Sequence, residues 1–176
     1  MTPLSLPQAV GVLLQPGPGA GFEQVPTVDP TVGLGGGAFS AFLTTLLIGG
    51  ILVALAPGYT ERLMNRVRDD AVGSFIYGLL ALVALLLVTI LLVITIVGIL
   101  LAIPLAVITG LAWAAGASVA FLAIADRLVG REDGWLKPLL VAALINGGLT
   151  LTGIGGLVSF AVGAAGFGAL LRDWQE

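Results

Sequence analysis

The chain has 176 residues, a length that allows one domain, with 58% hydrophobic side chains, 10% charged ones and a net charge of −3. Soluble domains run near 45–50% apolar and about 25% charged, so lipid rather than water is the expected solvent for most of this surface. Cysteine and histidine are both absent, which removes disulfides, thiolate chemistry, the usual zinc and haem ligands and the usual general base.

Residues 1–37 read as a Pro/Gly-rich extracytoplasmic tail. They contain Pro16-Gly17-Pro18-Gly19 and close on Gly33-Leu34-Gly35-Gly36-Gly37, with Glu23 and Asp29 as their charged side chains. Such punctuation favours turns over helix. It suits either a leader or a strap along a surface. No basic n-region precedes the short apolar run Ala9–Leu14, so the start does not read as a signal peptide.

Three stretches without a charged side chain follow: 31 residues from Pro30, 55 from Ala71 and 34 from Pro138. A bilayer core is about 30 Å thick and takes about 20 apolar residues per helical crossing. The first stretch therefore holds one span, from about Ala38 to Ala56, stopped at Pro57-Gly58. Between it and the second stretch lies Tyr59–Asp70, which places Leu63, Met64, Val67 and Ala71 on one helical face and Arg62, Arg66 and Arg68 on the other. This pattern predicts a short helix in the headgroup plane, with Thr60 as its N-cap and an Arg66–Asp70 pair.

The 55-residue stretch predicts two spans, 74–97 and 103–125, joined by a turn from Thr95 through Gly98 to Pro104. Trp135 is placed as an interfacial anchor. The last stretch breaks at Thr152-Gly153-Ile154-Gly155-Gly156 into halves of about 15–17 residues, or roughly 22–26 Å of helix. It is read as a Gly-rich hairpin of two short spans, with a re-entrant pair as the alternative. Gly153–Gly156 lacks the lysine and the strand-turn-helix setting of a phosphate loop.

The fold class is thus all-α, a polytopic membrane protein of about five transmembrane helices. With five crossings, all seven basic residues share one side, and the tail and both Gly-rich turns take the other. The positive-inside rule then puts the N-terminus outside and the C-terminus in the cytoplasm of a cell-membrane protein.

The order of an apolar span, a Pro stop, Tyr59-Thr60-Glu61-Arg62 on an Arg-rich short helix, a long apolar run ending Ile94-Thr95-Ile96-Val97-Gly98-Ile99, and a Gly-rich hairpin resembles a known arrangement. It is similar to the membrane region that follows the β-helical domain in bactofilin-like polymer-forming proteins of prokaryotes, over residues 38–171. Ile99–Ile103 separate Gly98 from Pro104, where that family often has Pro soon after the glycine. The polymer-forming β-helix has no counterpart in the 37-residue tail. The resemblance implies a membrane scaffold or anchor module.

Small residues recur at every fourth position, as Ala112, Gly116 and Ala120 and again as Gly155, Ser159 and Gly163. Such rows let helix backbones approach closely in lipid, within the monomer or in an oligomer. Asn146 and Thr150 share a face and, with Thr152, form the most polar group inside a predicted span; interhelical hydrogen bonding or the lining of a solute path are the two uses. No Asp, Glu, Lys or Arg lies mid-span, which argues against a pump. Arg62, Arg66, Arg68, Arg127 and Arg131 form a cytoplasmic surface for a partner or for anionic headgroups. The expected function is a non-catalytic scaffold, anchor or accessory subunit, with a small channel or transporter subunit as the alternative. No catalytic residue, cofactor or metal site is expected. The expected partners are membrane lipids and another membrane protein or a second copy of the chain, not nucleic acid.

Overall fold

A computed structural model describes residues 30–132, 134–152 and 154–175. The tail up to residue 29 lies outside the described residues, and with it the choice between leader and strap. The described chain is all-α, with no strand, in six helices: α1 Pro30–Leu55, α2 Pro57–Asp69, α3 Ala71–Val93, α4 Ile96–Val129, α5 Leu136–Thr150 and α6 Gly155–Asp173. Four are long and apolar enough to cross a membrane: α1, α3, α4 and α6. The 15 residues of α5 extend only about 22 Å.

α1 starts at Pro30, eight residues before the expected Ala38, and takes in the glycine run 33–37. Proline is tolerated in a first helical turn because the N–H it lacks has no partner there. α1 ends at Leu55, and Pro57 opens α2. Thr60 is therefore not the N-cap of α2, as expected, but sits inside it. Its hydroxyl donates to the Ala56 carbonyl at 3.0 Å.

α2 differs from the expected headgroup-plane helix in what its apolar face touches. Leu63, Met64 and Val67 are buried, Met64 completely, and they pack with Val119–Ala123 of α4, Leu139 and Ala142 of α5 and Ala169 of α6. The amphipathic face is covered by protein rather than by lipid. Ala71 does not join it; it opens α3 and is exposed. At about 0.8 kcal/mol per buried methylene, this docking makes α2 the lid over one end of the bundle.

The turn between α3 and α4 is tighter than expected. It occupies Ile94–Thr95, and α4 then runs 34 residues with Pro104 inside it. The Thr95 hydroxyl donates to the Leu92 carbonyl at 3.1 Å and accepts from the Gly98 N–H at 2.9 Å. A Cβ at Gly98 would overlap that same Leu92 carbonyl. The turn between α5 and α6 repeats the device: the Thr152 hydroxyl donates to the Leu149 carbonyl at 2.8 Å, and a Cβ at Gly155 would overlap it. A Thr-x-x-Gly sequence, Thr95–Gly98 and Thr152–Gly155, thus closes both hairpins. The threonine quenches a carbonyl the helix end leaves open, and the glycine lets the chain double back over it.

The chain alternates between two ends. The C-terminal ends of α1, α4 and α6, the N-terminal ends of α3 and α5, and all of α2 lie at one end, joined by ion pairs between α2 and α6, between α2 and α4, and between Asp70, just before α3, and α6. Both Thr-x-x-Gly turns lie at the other. α6 is the central element, packed most extensively on α3 and α4. The outward faces are apolar: Leu80, Leu91, Leu100, Ile108 and Leu157 are all more than half exposed.

Candidate functional site

Two features distinguish the interior from plain apolar packing: a set of glycine contacts along α6 and a hydrogen-bonded junction at Asn146. At the first, Gly116 of α4 faces the Gly166–Phe167 backbone, where a Cβ would stand 2.5 Å from the Phe167 nitrogen. A Cβ at Gly166 would overlap the Gly116 carbonyl and stand 3.0 Å from the Ala120 methyl. Gly116 and Ala120 therefore form one contact with α6, while Ala112, one turn further from the charged end, is half-buried.

Gly163 leaves room for the Trp113 ring, 2.7 Å from where its Cβ would be. Trp113 also lies 5.5 Å from Phe160 and 5.9 Å from Phe167 between centroids, in tilted arrangements that favour aromatic pairs. The row Gly155, Ser159, Gly163 does not act as one strip: Gly155 closes a turn, Ser159 bonds to α5 and Gly163 seats a ring. A third set escaped the sequence reading. A Cβ at Gly78 of α3 would overlap the Ala164 carbonyl, and one at Gly168 would overlap that of Ser74. The four-residue spacings Ser74/Gly78 and Ala164/Gly168 were the signal available for it.

Asn146 of α5 ties three helices together. Its amide donates to the Thr45 hydroxyl of α1 at 2.8 Å and, at the limit of 3.5 Å, to the Ala41 carbonyl. Its carbonyl accepts from the Ser159 hydroxyl of α6 at 3.2 Å. Thr45 is buried and was not singled out from sequence, since a threonine can also satisfy itself on its own helix. The structure does not bring Thr150 or Thr152 into this group. Thr150 donates to the Gly147 carbonyl at 2.6 Å and Thr152 to that of Leu149.

The charged end is an ion-paired rim. Arg62 reaches Asp173 at 2.8 Å and Arg66 reaches it at 3.7 Å. Arg68 pairs with Asp126 and also donates to the Ala123 carbonyl at 3.0 Å. Arg131 joins Asp126 at 2.8 Å to Glu61 at 2.7 Å and lies 4.5 Å over the Trp135 ring. The side chains of Asp126 and Asp173 are only 8% and 6% exposed, so these carboxylates depend on their arginines. Neither acid was singled out from sequence.

At Asp70 the expected partner Arg66 is replaced by Arg172, at 2.7 Å. Asp70 also caps α3 by accepting from the Gly73 N–H at 2.9 Å. The Arg172 hydrogen bond, and then that of Gly73, hold its carboxyl below the usual range. Burial, and then Asp173, push the Tyr59 hydroxyl up. Arg127 is exposed on the last turns of α4.

Two concavities open at this end. One of about 580 Å³ is polar, lined by residues of α2 with Asp70 and Arg172. The other, about 410 Å³, is apolar; it lies between α3, α4 and α6, with Arg68 and Arg127 in its lining. Among the described residues there is no cluster of three or more Asp or Glu suited to a metal.

The chain belongs to the family described as a domain of unknown function, DUF8173, whose model matches residues 4–176. No curated protein and no solved structure matches it.

Proposed function

We propose that this chain is a non-catalytic, multi-pass protein of the cell membrane that serves as a scaffold, anchor or accessory subunit of a membrane complex. The observation that carries the reading is the use made of Asn146. The most polar group of the interior is consumed by hydrogen bonds to Thr45 and Ser159, which makes it a cross-link between helices rather than the wall of a path. The glycine contacts of α6 support the same reading, because they bring backbones together where a pathway would need space.

The similarity of residues 38–171 to the membrane region of bactofilin-like proteins supports an anchoring role. The gathering of the basic residues at one end supports N-terminus outside and C-terminus inside. The rim then faces the cytoplasm, and its polar concavity offers Glu61, Arg62, Asn65 and Asp69 to a charged protein partner.

The test is purification from the native membrane in a mild detergent with mass spectrometry of what accompanies the chain. A stoichiometric partner is the expected result. A lone homo-oligomer that conducts a solute after reconstitution would overturn the reading in favour of a channel subunit. Single cysteines at the exposed positions Ile94 and Glu132 of this cysteine-free chain test the orientation. An impermeant thiol reagent should label position 94 from outside intact cells, and labelling at 132 would invert the topology.

A further inference from the structure

The apolar concavity at the charged end has the features of a lipid site. Val72 and Phe75 of α3, Ala123 and Ile124 of α4, and Ala161 and Ala165 of α6 are among its lining residues. Small side chains leave a recess of about 410 Å³ between α3, α4 and α6, with exposed Val72, Ile124 and Arg127 in its lining. It extends from the rim to residue 161, eleven positions before Arg172 on α6, or about 16 Å along a helix. Its interior has no acidic side chain, so nothing there repels an anion, and nothing but Arg68 and Arg127 distinguishes it from hydrocarbon.

Arg127 sets this mouth apart from the rest of the rim. Arg62, Arg66, Arg68, Arg131 and Arg172 are each matched to a carboxylate. Among the described residues Arg127 has no ion pair or hydrogen bond, and it lines the recess. Beside it, Arg68 is neutralised by Asp126, yet its Nε–H is buried without an acceptor. The mouth therefore carries one uncompensated positive charge and one unmatched donor above an apolar slot.

We propose that this recess holds an anionic glycerophospholipid, with an acyl chain against α6 and its phosphate at Arg127. A soluble anion has no use for the apolar slot, and a zwitterionic lipid leaves the Arg127 charge only partly matched. The proposal rests on the membrane placement of the helices, with the rim at the bilayer surface, and not on the scaffold role.

The test uses the full chain in a mild detergent, with native mass spectrometry of bound dioleoylphosphatidylglycerol against dioleoylphosphatidylcholine. The expected result is one bound phosphatidylglycerol, preferred about five-fold, the ratio one arginine near a membrane surface supplies. Arg127→Gln, an exposed position that leaves the packing intact, should remove the preference while a lipid is retained. Ala161→Phe, which fills the slot, should lower retention of both lipids, with circular dichroism checking that the helices remain. Equal binding of the two lipids by the natural chain would overturn the proposal, as would an unchanged preference in Arg127→Gln. Competition by millimolar inorganic phosphate would reassign the mouth to a soluble anion and equally overturn it. Flotation with vesicles separates the two readings: a chain that floats but shows no preference loses the lipid site alone, whereas one that does not float loses its membrane placement.

Discussion

Substituting Gly116 by alanine probes the closest approach of α4 and α6. The added methyl would stand 2.5 Å from the Phe167 nitrogen and 2.6 Å from the Gly166 carbonyl carbon, where ordinary contact begins at 3.4 Å. The helices must separate by about 0.9 Å, and the obstructing atoms are backbone, which cannot swing aside. A gap of about 0.5–1 Å forfeits a quarter to a half of each dispersion contact along the crossing. Retreat of α6 also disturbs its seat on α3, where Gly78 and Gly168 leave no slack. Overpacking of this kind costs about 1–3 kcal/mol, against a gain of up to about 1 kcal/mol in helix propensity, so a net loss of about 1–2 kcal/mol is expected.

Gly110, on the same helix, and Gly156, on α6, have nothing within 4 Å of their added Cβ and should be neutral or slightly stabilised by alanine. The assay is unfolding in mild detergent with rising sodium dodecyl sulfate, followed by circular dichroism and by the fluorescence of the three tryptophans. If Gly116→Ala unfolds at the same midpoint as Gly110→Ala, the close-packing argument is wrong.

Asn146→Leu leaves the Thr45 and Ser159 hydroxyls without their partner and should cost about 1–2 kcal/mol, given about 0.6 kcal/mol per interhelical hydrogen bond in membranes; in the same unfolding assay, an unchanged midpoint would count against the junction. Asp126→Ala strands Arg68 and part of Arg131 in a poorly hydrated site and should cost about 3 kcal/mol, whereas Asp69→Ala on the exposed side of α2 should be nearly silent. Because the Asp70 carboxyl titrates below its ordinary value, its contribution is complete above the unfolded pKa of about 3.9 and is lost as pH falls through the lower folded value. The unfolding midpoint of the natural chain should therefore drop on the acid side of pH 4 more steeply than that of Asp70→Asn; parallel profiles would refute the Arg172–Asp70 linkage.

The composition and the spacing of charges determined that the chain is helical, where its long apolar helices lie, and that its basic residues gather at one end. These follow from local rules: a charge or a proline interrupts an apolar run wherever it falls, and a helix needs no distant partner for its backbone hydrogen bonds. Even the tight turn at Thr95 was present as Thr-x-x-Gly, repeated at Thr152. Pro104 differs from the local rule, which makes proline a helix boundary, because α4 carries it internally.

Tertiary structure alone decided which partners the remaining groups would find. The stripe Leu63, Met64, Val67 has the same pattern whether it meets lipid or protein, and only the fold places α4, α5 and α6 beneath it. Asp70 could meet Arg66 or Arg172 on chemical grounds alike; proximity across 102 positions selects the second. Small residues mark a surface for close approach without naming the opposing helix. So Gly116 was legible as a contact, while its partner Gly166, and Thr45 as the partner of Asn146, came only with the packing of α6 and α1.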